Sequence, residues 1–167
     1  MELARGQLHI LGGASGVGKT RLLLATIKRI QEGEEVPFSF SGDSYAIAVM
    51  DRYRQQTDDL IREWGIQNVE VYGLVGDNLL PSERKKRTRI VKDPDRLLIH
   101  VLEQFQEEYD VLILDPAAFF LPIGYDYVST ALSLWALSDL AASMSITILA
   151  THHAAKARKE SGFKRAQ

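Results

Sequence analysis

Gly13-Ala14-Ser15-Gly16-Val17-Gly18-Lys19-Thr20 lies between two segments of different periodicity. Before it, Leu8-His9-Ile10-Leu11 is an apolar run of strand length. After it, Leu22, Leu23, Leu24, Ile27 and Ile30 recur at helical spacing from Lys19 to Gln31, and Gly33 closes the segment. A G-x-x-x-x-G-K-[ST] order between a strand and a helix is the pattern of a phosphate-binding loop. The glycines let the backbone curl so that successive N–H groups point inward, and the helix start adds the positive end of its dipole. Lys19 is placed to reach the β- and γ-phosphates of a nucleotide, and the Thr20 hydroxyl suits Mg²⁺, an ion that takes oxygen ligands. Residues 13–20 are therefore the expected nucleotide site. The loop fixes binding but not the reaction, because such loops serve ATPases, GTPases and small-molecule kinases alike.

The rest of the chain repeats the strand–helix alternation. Val36-Pro37-Phe38-Ser39-Phe40 reads as a second strand, and Ala46, Met50, Tyr53, Leu60, Ile61 and Trp64 as one face of a long helix ended by Gly65. Val69-Glu70-Val71-Tyr72 is a third strand, and Leu97, Leu98, Val101, Leu102 and Phe105 mark another helix. Val111-Leu112-Ile113-Leu114 is the clearest buried strand; Val128, Leu132, Trp135 and Leu140 mark a further helix, and residues 145–150 a last strand. Alternation of this kind predicts an α/β fold with a mostly parallel β-sheet flanked by helices.

Composition narrows the classes. The 167 residues suit one domain, and 46% hydrophobic with 25% charged residues is ordinary for a globular chain. There is no cysteine, which excludes disulfide staples, thiolate-bound zinc and thiol catalysis and agrees with a reducing cytoplasm. A net charge of −2 gives no bulk attraction to nucleic acid. The N-terminus lacks the basic-then-apolar order of a signal peptide, and no apolar run approaches the length of a membrane span, so a soluble, cytoplasmic protein is expected.

Three further positions are candidates for chemistry. Asp115 ends an apolar strand, where an acid can orient the water shell of Mg²⁺ beside Thr20. Asp43, in Phe40-Ser41-Gly42-Asp43, is either a group that polarises the attacking water or the cap of the helix expected to start near Tyr45. Thr151-His152-His153 follows the last expected strand, and one histidine there can sense the γ-phosphate.

These segments together resemble the RecA-like P-loop ATPases, and within them the branch of RepA-type hexameric replicative helicases and related phage and plasmid ATPases. The resemblance rests on residues 13–20, Ser41-Gly42-Asp43, Leu112-Ile113-Leu114-Asp115-Pro116-Ala117-Ala118-Phe119 and Thr151-His152-His153-Ala154-Ala155-Lys156. It implies a RecA-like P-loop NTPase core that binds ATP and Mg²⁺, with Thr20 and Asp115 at the metal, Lys19 on the phosphates and His153 as sensor. It also implies an oligomer, a helicase or helicase-like motor, acting on single-stranded DNA in replication, recombination or repair. The family's usual glutamate after the second strand has no counterpart here; Gly42-Asp43 stands in its place. Family members continue past the His-x-x-Lys segment, so residues 1–167 are expected to be a single domain cut short on its C-terminal side.

Two basic segments are DNA-contact candidates: Arg84, Lys85, Lys86, Arg87, Arg89, Lys92 and Arg96, and the tail from Lys156, where Arg158 or Arg165 would reach a neighbouring subunit's nucleotide. A solvated loop and a frayed terminus are the plain alternatives. The phosphate loop also resembles that of guanylate-type kinases, which makes a nucleotide or small-molecule kinase the second functional reading. A non-catalytic ATP-binding switch or loader is the third.

Overall fold

The computed structural model describes residues 1–49, 51–73, 109–119 and 127–153. The expected helix over 97–105 and both basic segments lie outside them. In chain order the elements are β1 (Glu2–Leu3), β2 (Leu8–Gly13), α1 (Lys19–Gln31), β3 (Ser39–Phe40), β4 (Tyr45–Val49), α2 (Asp51–Trp64), β5 (Val69–Gly73), β6 (Val111–Asp115), a 3₁₀ turn (Ala117–Phe119), α3 (Tyr127–Met144) and β7 (Thr147–His153). Five strands form one sheet in the order β2-β7-β6-β4-β5, every neighbouring pair parallel. No helix among the described residues is long and apolar enough to cross a membrane.

Parallel strands covered on both faces must be apolar on both faces, and β4 and β6 obey this: every residue of both is buried. One face carries Ala46, Ala48, Leu112, Leu114, Ile148 and Ala150 and packs on Leu137 and Ala141 of α3. The other carries Tyr45, Ile47, Val49, Ile113 and Leu149 and packs on Leu23, Leu24 and Ile27 of α1, with Leu60, Ile61 and Trp64 of α2 at its margin. Deleting several methylenes from a fully buried side chain such as Ile113 or Leu112 costs about 2–5 kcal/mol.

The sequence expectation fails between residues 36 and 49, while the helix expected to end at Gly65 is present from Asp51 to Trp64. Only Ser39 and Phe40 of the expected second strand are extended, and they pair with β1 in a separate two-stranded sheet. The start of the expected long helix is instead β4, hydrogen-bonded to β5 on one side and β6 on the other. Short apolar runs are ambiguous by periodicity. The tertiary gain from burying Tyr-Ala-Ile-Ala-Val between two strands decides this one.

Asp43 consequently precedes β4 and follows no strand of the five-stranded sheet at its carboxyl end. It stands at the edge bearing the amino ends of β4 and β6, opposite the carboxyl end of β2 where residues 13–20 leave the sheet. Its backbone N–H donates to Asp110 Oδ2 at 3.1 Å. Asp110 also accepts from the Ser44 hydroxyl at 3.1 Å and from the Arg5 guanidinium. Gly42 makes room for this knot: its φ is +147°, and a Cβ there would collide with the Asp110 side chain. Asp43 is thus part of a structural clasp, and neither the water-polarising nor the helix-cap expectation holds.

Desolvation alone would raise the Asp110 carboxyl. The Asp43 and Ser44 hydrogen bonds and the Arg5 charge outweigh it and hold the group below the ordinary carboxylate value. An acid that ionises more readily folded than unfolded adds stability above its unfolded value, and that contribution fades as pH falls below 3.8. Asp110→Ala is expected to lose about 2 kcal/mol at pH 7 by urea denaturation, with the gap to the native chain narrowing in acid. A gap that stays constant from pH 7 to pH 3 would show that the ionised clasp is not its source.

Candidate nucleotide site

The loop between β2 and α1 is built as its sequence requires. Gly16 and Gly18 have φ of +78° and +86°, the left-handed region that glycine enters without a Cβ penalty. Gly18 is the N-cap of α1, with no side-chain cap, and there is no acidic residue in the helix's first turn. Its carbonyl accepts the Leu22 N–H at 2.9 Å, so the helix begins at once. The amide groups of the first turn are left pointing at the loop cavity, which suits an anion.

Lys19 is 7% exposed, and its ammonium donates to the carbonyls of Gly13 at 3.0 Å and Ala14 at 2.9 Å. These bonds hold a positive charge inside the loop. Thr20 donates its hydroxyl to Asp115 Oδ2. Asp115, 8% exposed at the end of β6, is reached from a second side by the Thr151 hydroxyl, which donates to Oδ1. The aspartate therefore gathers the first turn of α1 and the intervening strand β7 at one point.

Thr151 is a site residue that sequence reasoning misses. A signal is present, since it opens the polar end of an apolar strand, but the histidines beside it are the more conspicuous candidates. β7 runs through His153, so Thr151, His152 and His153 lie within the strand and not after it. His152 pairs in register with Gly12, and His153 with Gly13. The backbone of His153 is thereby beside the start of the phosphate loop.

A cleft of about 330 Å³ opens in front of the loop. Ser15, Gly16, Lys19 and Thr20 line it, with Asp115 and Pro116 from the end of β6. Val49 from β4 and Tyr53, Gln56, Thr57 and Leu60 from α2 form the opposite wall. This wall is not legible in the sequence, because periodicity assigns its strand to a helix. The cleft falls within the roughly 300–1,000 Å³ of small-ligand sites.

The residues fit Mg²⁺ as well as phosphate. Thr20 and Asp115 offer a hydroxyl and a carboxylate in mutual contact, both hard oxygen donors. No group of three or more His, Cys, Asp or Glu among the described residues is arranged to hold a metal. Two protein oxygens with the remaining positions left to phosphate and water is the coordination Mg²⁺ prefers.

A parallel sheet with helices on both faces and a phosphate loop at the carboxyl end of β2 defines the RecA-like P-loop NTPase fold. Residues 2–159 match the protein family described as AAA domain (AAA_25), and the chain belongs to that family. Among solved structures it is similar to a KaiC-like protein from the hyperthermophilic archaeon Pyrococcus horikoshii OT3, with 17% identity and a TM-score of 0.51. That likeness covers 90% of this chain and 64% of the other, so the chain spans less than two thirds of that relative's length. It is also similar to the RadB recombinase, with 16% identity, a TM-score of 0.49, and coverage of 95% of this chain and 67% of that one. At 17% identity the likeness to the KaiC-like protein shows the fold alone. No curated protein matches the chain.

The two hydrogen bonds that Asp115 accepts from Thr20 and Thr151 give a direct test of the site's architecture. Thr151→Val keeps the side-chain shape and removes one donor from a buried carboxylate, so a loss of about 1–3 kcal/mol is expected in urea denaturation. Unchanged stability would mean that Asp115 does not depend on β7.

Proposed function

We propose that this protein hydrolyses ATP with Mg²⁺ at the cleft between residues 13–20 and α2. The observation that carries the reading is the meeting of Lys19, Thr20 and Asp115 at one end of a parallel sheet, in a chain of the AAA domain family. Triphosphate oxygens replace the Gly13 and Ala14 carbonyls as partners of the Lys19 ammonium, which then stabilises charge developing on the transferred phosphoryl group. Bound Mg²⁺ would supply Lewis-acid neutralisation of the β- and γ-oxygens. Thr20 and Asp115 would hold it, and Thr151 fixes the Asp115 carboxylate by donating to Oδ1.

Val49, at the carboxyl end of β4, pairs in register with Asp115, which puts the start of α2 beside the site and Asp43 on the opposite edge. His153, in register with Gly13, remains the proposed sensor of γ-phosphate loss. Residues 13–18 complete the phosphate cradle through Gly13, Ala14, Ser15, Gly16, Val17 and Gly18.

The resemblance to RepA-type helicases extends the reading to an oligomeric ATPase that works on single-stranded DNA, with residues 84–96 and the tail as the basic contacts.

Steady-state phosphate release with and without single-stranded DNA tests the proposal. Lys19→Ala is expected to lower turnover about a hundredfold or more. Asp43→Asn should leave it unchanged, because the clasp uses the Asp43 backbone. Full turnover in Lys19→Ala would overturn the site, and turnover indifferent to DNA and to oligomer formation would overturn the motor reading.

A further inference from the structure

We infer that Gln56 is the water-positioning residue for attack on the terminal phosphate. The inference rests on the ATP-hydrolysis reading and adds a residue to it.

Tyr53, Gln56, Thr57 and Leu60 are spaced i, i+3, i+4 and i+7, so α2 presents one stripe to the cleft wall opposite Lys19, Thr20 and Asp115. The side chains of this stripe have different commitments. Leu60 packs into the core on the α1 side of the sheet. Thr57 is 3% exposed, and its hydroxyl donates back to the Tyr53 carbonyl at 2.9 Å. Gln56 lines the cleft, is exposed, and makes no hydrogen bond to a described residue.

A primary amide carries the groups this position needs. Its carbonyl oxygen accepts a hydrogen bond from a water, while its NH₂ donates to a phosphate oxygen. Holding both at once fixes the water in line with the phosphorus, and such orientation is worth large factors in rate. A cleft of about 330 Å³ has room for phosphate groups together with an attacking water, whose share of volume is about 30 Å³.

The step balances without a further reactant. The water oxygen bonds to the γ-phosphorus as the bond from that phosphorus to the β–γ bridging oxygen breaks. ADP leaves with the bridging oxygen, and the water's proton passes to an oxygen of the released phosphate and then to solvent. Gln56 neither gains nor loses a proton. Its amide does not titrate, so its removal lowers kcat and leaves the pH at which the rate is half-maximal unchanged.

The experiment compares the native chain with Gln56→Ala and Gln56→Glu. Alanine favours a helix more than glutamine does, and the position is exposed, so the fold is expected to survive; urea midpoints check this. Gln56→Ala should lose about ten- to a hundredfold in kcat, with ADP affinity and the pH profile unchanged. Its affinity for ADP with aluminium fluoride, a mimic of the transferring phosphoryl group, should fall by a similar factor. Gln56→Glu keeps the acceptor but places a negative charge against the phosphate, and should be at least as slow. If the native chain turns over ATP and Gln56→Ala keeps both its kcat and its affinity for the mimic, the role of Gln56 is overturned while the hydrolase reading stands. If the native chain neither binds nor hydrolyses ATP, the hydrolase reading fails and takes this inference with it.

Discussion

The carboxylate of Asp115 is the point at which the functional end of the sheet is tied together. One oxygen accepts from Thr20 in the first turn of α1, and the other accepts from Thr151 on β7. A nearly buried charge is tolerated only where donors replace the lost water, and here both donors are short hydroxyl side chains on different elements. β7 lies between β2 and β6, which puts Thr151 beside Asp115 and His153 in register with Gly13. The phosphate loop, the Thr20 and Asp115 pair and the strand carrying His153 inherit their relative positions from this strand order.

The two edges of the sheet carry different duties. At the carboxyl ends of the strands, glycines, a buried lysine and hydroxyls leave room and hydrogen-bonding capacity for a phosphate chain. At the amino ends, Asp110 gathers Arg5, Asp43 and Ser44, and Tyr45 bonds to the Gly42 carbonyl at 3.2 Å. Burial, followed by the charges of Asp43 and Asp110, raises the Tyr45 phenol above its ordinary value, so it stays a neutral donor. Charge at this edge closes the fold; charge at the opposite edge is available for chemistry. Both edges contain an aspartate that follows or precedes an apolar strand, and only the direction of the chain separates their roles.

Much of the site is legible in the sequence because it is local. A phosphate loop is one continuous segment, and the helix read from Lys19 to Gln31 has those bounds in the structure. Asp115 is recognisable because an acid after four apolar residues marks a strand end. The failures share one cause. Tyr45-Ala46-Ile47-Ala48-Val49 joins smoothly to the helical spacing of Tyr53, Leu60 and Trp64, so local periodicity cannot place the break between strand and helix. Missing β4 puts Asp43 at the wrong edge and hides the α2 wall of the cleft. Thr151 escapes notice because its partner lies 36 residues away.

Spacing within short windows is enough for the alternating architecture, the phosphate loop and the identity of the Thr20 and Asp115 pair. Only the packed chain decides that residues 45–49 are a central strand, that Asp43 belongs to the structural edge, and that Gln56 lines the same cleft as the phosphate loop. Those outcomes depend on which strands lie side by side. Adjacency in a parallel sheet is a competition among segments for burial on two faces, and it is settled only when all of them are present.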